Sequence, residues 1–193
     1  MKHFPKNRLE AFSDGMIAII ITVMVLELRA PQGTGPAALR PLVPVFFSYA
    51  LSFIYLAIYW NNHHHLLHAT HQINGRIMWM NMHLLFWLSL FPFVTAWVGQ
   101  TKGAAWPTAF YGIVFFMAAI AYFLLQNSIV ALEGKNSTLS AALGSDWKGK
   151  LSPVCYLLAI AFAFVSPWLS NAIYIFVALL WIVPDRRIEN LAR

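Results

Sequence analysis

Apolar residues occur in long segments that lack charged side chains, and short polar stretches separate these segments. A hydrocarbon core of about 30 Å is spanned by about 20 apolar residues in a helix. The pattern predicts an all-α integral membrane protein, a single domain over 1–193 with six transmembrane helices. Their approximate ranges are 8–28, 42–67, 76–100, 104–132, 148–165 and 168–184.

Two charge-free stretches of the sequence, 77–101 and 151–184, contain a proline that should interrupt a helix. Residues 151–184 lack charge throughout, and one helix of that length would measure about 51 Å, too long for the membrane core. We therefore divide it at Ser166-Pro167 into two helices. A five-span protein with a re-entrant hairpin there is the alternative. Pro92 should kink the third helix.

Composition excludes several classes of protein. The chain is 60% hydrophobic and 10% charged, whereas soluble domains carry about 25% charged residues, so no separate soluble domain is expected. The only cysteine, Cys155, excludes an internal disulfide. The net charge of +6 comes from basic residues at helix ends, which indicates contacts with membrane lipids and no nucleic-acid partner.

The distribution of basic residues predicts the topology. With six spans, ten basic residues share the side of the termini: Lys2, Lys6, Arg8, Arg76, Lys135, Lys148, Lys150, Arg186, Arg187 and Arg193. Only Arg29, Arg40 and Lys102 lie on the other side. The positive-inside rule then places both termini in the cytoplasm of a multi-pass protein of the cell membrane. Five spans would put the basic tail outside.

The first helix carries polar residues that a membrane anchor does not need: Arg8, Glu10, Ser13 and Asp14. A carboxylate inside a membrane span costs a few kcal/mol, about 3, unless it is paired or faces water. Arg8 and Asp14 are six residues apart and do not face each other on one helix. Each therefore needs a partner from another helix or another subunit, which makes this segment a candidate functional site.

An apolar stripe runs along the same helix. At about 100° per residue, Phe12, Ile19, Val23 and Leu26 share one face, Thr22 lies at its edge, and Asp14 is about 140° from Ile19. Apolar stripes are common, so the residues alone favour an ordinary helix-packing or lipid-facing surface. On the third helix, the lone amide of Asn81 is expected to bond to Ser13, Asp14 or Arg8, although plain packing explains it equally well.

Histidines are concentrated around the end of the second helix. His64, His68 and His71 are spaced four and seven residues apart, which is compatible with zinc or copper. No carboxylate lies between residues 61 and 75 to support such a site. We therefore interpret the cluster as a polar cap at the membrane interface and predict no metal site and no cofactor.

The polar positions resemble a known family. Arg8-x-x-x-Phe12-Ser13-Asp14 is similar to the first-helix signature of the lysosomal potassium channels called transmembrane protein 175 and of their prokaryotic relatives. Three further segments are similar to later parts of that family: Trp60-x-x-His63-His64, Arg76 with Asn81 and Pro92-Phe93-x-Thr95, and Pro184-Asp185-Arg186-Arg187-Ile188-Glu189. His65 departs from the basic residue often found at its position.

The resemblance implies a homotetramer with a potassium-permeable central pore lined by helix one. It places Ile19, Thr22, Val23 and Leu26 along the pore, with Ile19 at the narrowest point, and Glu27 at the outer mouth. It further implies a network that positions the pore helix: Arg8, Phe12, Ser13, Asp14, His63 and Asn81. On the residues alone, Glu27 and Arg29 are a solvated surface pair.

Several absent motifs limit the function. The chain has no TVGYG-like filter, no Walker motif, no nucleophile elbow and no carboxylate pair placed for acid/base chemistry, so no enzyme is predicted. We predict a potassium-selective channel with a hydrophobic constriction. A cation or metal transporter that uses the histidine cluster and a non-conducting scaffold are the alternatives.

Overall fold

A computed structural model describes residues 5–134 and 147–182, and within them every regular element is helical. The elements are α1 (Lys6–Leu26), a 3-10 helix (Pro36–Leu42), α2 (Val43–His68), α3 (Gly75–Ser89), α4 (Phe91–Gln100), α5 (Ala105–Glu133), α6 (Trp147–Phe162) and α7 (Pro167–Ile182). Because α3 and α4 form one interrupted span, the all-helical class and the six-helix count are confirmed. The family-like tail at 184–189 lies outside the described residues.

Four spans are long and apolar enough to cross a membrane: Lys6–Leu26, Pro36–His68, Gly75–Gln100 and Ala105–Glu133. Helix α7 is a shorter apolar helix of 16 residues. Proline positions explain the breaks. Pro92 lies in the first turn of α4, directly after the junction at Leu90, and Pro167 begins α7. The histidine-rich segment from His63 to His68 is the last part of α2.

Helix α5 occupies the centre of the subunit and packs against α3, α4, α6 and α7, while α1 lies at one side against α2, α3 and α4. Phe115 of α5 is the hub of the core. Five aromatic rings surround it, and their centroids lie between 4.0 and 5.8 Å away: Tyr55, Phe91, Tyr111, Tyr156 and Tyr174. Tyr111 lies one turn away on α5 itself, and the other four rings come from four other helices, so one side chain joins α2, α4, α6 and α7.

Three tyrosine hydroxyls of this core form buried hydrogen bonds. Tyr55 donates to the carbonyl of Tyr174 at 2.6 Å, and Tyr174 donates to the carbonyl of Thr108 at 3.0 Å. Tyr111 and Ser52 share a bond of 2.7 Å. Because a buried hydroxyl without a partner costs free energy, these bonds select one packing of the rings.

We expect Gly112→Ala to destabilise the subunit. A methyl group there would collide with the Tyr174 hydroxyl and with Cγ1 of Ile160, and the hydroxyl is held by its bond to Thr108. Overpacking of this kind costs about 1–3 kcal/mol. The free energy of unfolding in detergent micelles measures it. Gly75→Ala is the control, because its added Cβ meets nothing within 4 Å, and equal losses in both variants would contradict the prediction.

Helix α4 ends in a Schellman motif. The N–H of Gly103 donates to the carbonyl of Val98 at 2.9 Å, and the N–H of Lys102 donates to that of Gly99 at 3.3 Å. The residue at the left-handed position is Lys102, with φ of 53°, where glycine is the usual residue. A lysine therefore holds a backbone conformation that costs about 1 kcal/mol or more for a side chain with a Cβ.

Candidate pore helix and its docking site

Helix α1 has a buried face and an exposed face. Five residues of the buried face contact the rest of the subunit: Leu9, Ser13, Ile17, Ile20 and Met24. On the other face Ile19 is 61% exposed, Val23 is 42% exposed and Leu26 is 77% exposed. Thr22 is exposed beside them, and its hydroxyl donates to the carbonyl of Ile19 at 2.8 Å. The apolar stripe is thus not used to pack α1 onto its own subunit.

A directional chain of buried hydrogen bonds docks the opposite face. Nε2 of His63 lies 2.6 Å from Oδ1 of Asn81, Nδ2 of Asn81 donates to Oγ of Ser13 at 2.9 Å, and Ser13 donates to the carbonyl of Leu9 at 2.8 Å. Since the amide oxygen of Asn81 only accepts, Nε2 of His63 carries a proton. All three side chains are buried, so this chain ties α1, α2 and α3 together.

Asp14, the next residue of α1, has a separate partner. Its Oδ1 accepts a hydrogen bond of 3.0 Å from the indole N–H of Trp60. Trp60 and His63 are three residues apart on α2 and thus neighbours on its surface. The two consecutive residues Ser13 and Asp14 are therefore held by two neighbouring residues of α2, with Asn81 bridging one of the pairs.

Further contacts hold the same end of the bundle. Nζ of Lys6 donates to the carbonyl of His68 at 2.8 Å and lies 3.9 Å from Glu10. Oε1 of Glu133 accepts from the backbone N–H of His71 at 2.7 Å. The ends of α1, α2 and α5 are thereby fastened to one another beside the Ser13–Asn81–His63 chain.

Two residues of the predicted network, Arg8 and Phe12, take no part in the buried hydrogen bonds that join α1, α2 and α3. Arg8 and Phe12 are exposed, and the described part of the chain provides no ion pair for Arg8. Helical geometry explains this, because Arg8 is about 140° and Phe12 about 100° around α1 from Ser13. Both lie on the side of the exposed apolar stripe, which faces away from the rest of the described subunit. Glu27 is exposed just after the last turn of α1, at the opposite end from Asp14.

The histidines of α2 are arranged by ring stacking. Among the described residues, no group of three or more His, Cys, Asp or Glu side chains is placed to hold an ion. The rings of His64 and His68 stack with centroids 6.0 Å apart, and His64 also stacks on Trp60 at 5.8 Å. His71 is exposed in the connection to α3. Trp60, His64 and His68 thus form one column of stacked rings on α2, and Trp60 is also the hydrogen-bond partner of Asp14.

Sequence reasoning named Trp60 only as part of a family-like segment and missed its role as a hydrogen-bond donor to Asp14. The spacing of Trp60 and His63 on one helix face was the available signal. It also missed a second buried chain near the other end of α1, in which Thr95 bonds to Ser52 at 2.6 Å and lies 3.9 Å from Sδ of Met24. These residues are far apart in sequence, and no local pattern pairs them.

Comparison with known proteins gives consistent results along the chain. Residues 8–92 match the family model described as the endosomal/lysosomal potassium channel TMEM175. A potassium channel from Chryseobacterium sp. (strain P1-3) is 52% identical over 185 residues, which cover 96% of each protein. A potassium channel from Streptomyces collinus is 28% identical over 184 residues, which cover 90% of this chain and 89% of that protein.

The fold also matches a solved structure. The crystal structure of a lysosomal potassium-selective channel TMEM175 homolog from Chamaesiphon minutus superposes with a TM-score of 0.82 at 26% sequence identity. The match covers 93% of this chain and 97% of that one. The similarity therefore extends over the whole six-helix subunit, beyond the part that the family model matches.

Proposed function

The chain belongs to the TMEM175 potassium channel family, and from this premise we propose that four copies assemble into a potassium-selective channel whose pore is lined by α1. Membership makes it a membrane protein of an ion channel family and not an enzyme. Potassium is the permeant ion in this proposal, and no cofactor takes part. The termini lie in the cytoplasm, and the channel lies in the cell membrane.

The observation that carries the proposal is the exposed stripe on α1. Helix α1 packs onto its own subunit through its buried face, which contains Ser13 and apolar neighbours. The exposed stripe is therefore available for contact around an axis. Closed rotational symmetry is the common arrangement of soluble and membrane homo-oligomers. Four equivalent stripes that meet at such an axis would supply four copies each of Ile19, Thr22, Val23 and Leu26.

Rings of this kind can close a pore without any charged residue. Branched apolar side chains do not hydrogen-bond water, so a narrow ring of four Ile19 side chains would dewet and act as a barrier to hydrated ions. Thr22 adds a hydroxyl between successive rings. We attribute the preference for potassium over sodium to dehydration, since potassium gives up its water more readily at such a constriction.

The remaining site residues position the pore helix or concentrate ions. Ser13, Asp14, His63 and Asn81 fix the rotation of α1, and a rotation error would turn the stripe away from the axis. Arg8 and Phe12 contact a neighbouring subunit in this proposal, since they share the exposed side of α1. At the far end of the stripe, the carboxylate of Glu27 raises the local cation concentration at the outer mouth.

Flux through the purified protein in liposomes tests the proposal. Under an outward potassium gradient we expect potassium efflux that exceeds sodium efflux under a matched sodium gradient, from particles whose mass corresponds to four subunits. Zinc added to the bath separates a channel from a histidine-dependent transporter, whose saturable flux would depend on the metal and on His64 and His68. A monomeric particle, or a tetramer without flux, would contradict the proposal.

A further inference from the structure

A groove lies at the end of the bundle where α1 ends and α2 begins. Its cavity volume is about 450 Å³. One wall is formed by successive turns of α2 through Val43, Phe47 and Leu51, and the other by successive turns of α7 through Trp168, Asn171 and Ile175. Val98 of α4 contributes to the floor. No residue of α1 lines it, so it is separate from the proposed pore.

The groove lies between α2 and α7. Deeper in the bundle they are joined through the bond from Tyr55 to the carbonyl of Tyr174. Towards this end, the ring of Tyr111 and the side chain of Val98 close the space between them from below, and nothing among the described residues fills it from above. The result is a mostly apolar slot, and Trp168 on its α7 wall is 87% exposed.

The slot has a positive charge, which Lys102 provides. Lys102 is the only charged residue among the described residues that line it, and its side chain is exposed and in no ion pair there. The same lysine occupies the left-handed position of the Schellman motif, where glycine would cost less. A residue in a strained backbone conformation is grounds for a hypothesis of function, and here the side chain of that residue is the cation of the groove.

We propose that the groove is a binding site for an anionic phospholipid, with one acyl chain in the slot between α2 and α7 and the phosphate against the Lys102 ammonium. The apolar walls match an acyl chain, and the single cation at the mouth matches an anionic headgroup. The amide of Asn171 lies close to Gly103 and offers a polar contact to the headgroup region. The left-handed backbone of Lys102 fixes the direction in which its side chain leaves α4.

Trp168 provides a built-in reporter for this site. The full chain is reconstituted in phosphatidylcholine liposomes that contain either brominated phosphatidylglycerol or an equal fraction of brominated phosphatidylcholine. Because the chain has eight tryptophans, the signal of Trp168 is taken as the difference between the native protein and Trp168→Phe. We expect the anionic lipid to quench this signal with an apparent affinity about fivefold higher, which is the effect of one lysine near an anionic headgroup.

Three variants separate the charge from the groove. Lys102→Gln and Lys102→Gly should both abolish the preference for phosphatidylglycerol, while Lys102→Gly should also raise the unfolding temperature because it relieves the backbone. Arg40→Gln is the matched control, since Arg40 is exposed at the same end of the bundle and does not line the groove. A preference that survives in both Lys102 variants overturns the proposal. So does a Trp168 signal that neither lipid quenches, which would indicate a groove covered by another copy of the chain.

Discussion

Replacing Ile19 by asparagine is expected to reduce the ratio of potassium to sodium permeability by about tenfold and to raise the leak through the resting channel. In a tetramer the change puts four amides into the narrowest ring, and amides hydrogen-bond water. A wetted constriction no longer requires an ion to lose its hydration shell, so the difference in dehydration between the two ions no longer selects. A tenfold change corresponds to about 1.4 kcal/mol between the two barriers. Paired potassium and sodium flux assays in liposomes measure it.

The controls for this prediction lie on the same helix. Val25→Asn places the same amide on another exposed residue of α1, about 120° from Ile19, and should leave selectivity unchanged. Ile19→Val keeps a branched apolar side chain and should preserve a dewetted ring. If Ile19→Asn forms tetramers with native selectivity and native leak, Ile19 does not lie at the constriction. If Val25→Asn shows the same loss, the effect comes from the helix and not from one ring.

The predictable part of this protein is the part that local pattern determines. Charge-free segments of sufficient length predicted the helices, and Pro92 and Pro167 predicted two breaks, because both signals lie within one element. The polar residues of α1 also marked a site before any contact was known, since a buried amide, hydroxyl or carboxylate must find a partner. The structure provides one for Ser13 through Asn81 and one for Asp14 through Trp60.

What the sequence could not supply is the choice of partners. Phe115 is one of fifteen phenylalanines, and nothing local distinguishes it as the centre of five aromatic rings, one from α5 itself and four from other helices. Arg8 shares a motif with Ser13 and Asp14. It nevertheless lies about 140° around α1 from Ser13, so the two residues face different neighbours. A sequence motif thus indicates residues that act together. The angular position of each residue around the helix determines which of them contact the same neighbouring helix.

Asn81→Leu is expected to cost the most among variants outside the pore. It removes the partner that the described residues provide for Nε2 of His63 and the donor to Ser13, and both His63 and Ser13 are buried. A buried polar group left without a partner costs about 1–3 kcal/mol, more than the roughly 0.6 kcal/mol of an average hydrogen bond between membrane helices. We expect a lower free energy of unfolding and a loss of most potassium flux, because the bond that fixes the rotation of α1 against α3 is lost. Asn127→Leu, an exposed amide on α5, is the matched control.

A second substitution distinguishes the hydrogen-bonded chain from simple packing. In His63→Leu with Asn81→Leu, both members of the bond become apolar, and no imidazole is left buried without a partner. Because Ser13 keeps its bond to the carbonyl of Leu9, the double variant should be more stable than the sum of the two single losses predicts. Flux should recover less than stability, since two leucines restore packing but do not bond Ser13. Strictly additive losses would instead mean that His63 and Asn81 contribute independently, and the chain of bonds would not be what orients α1.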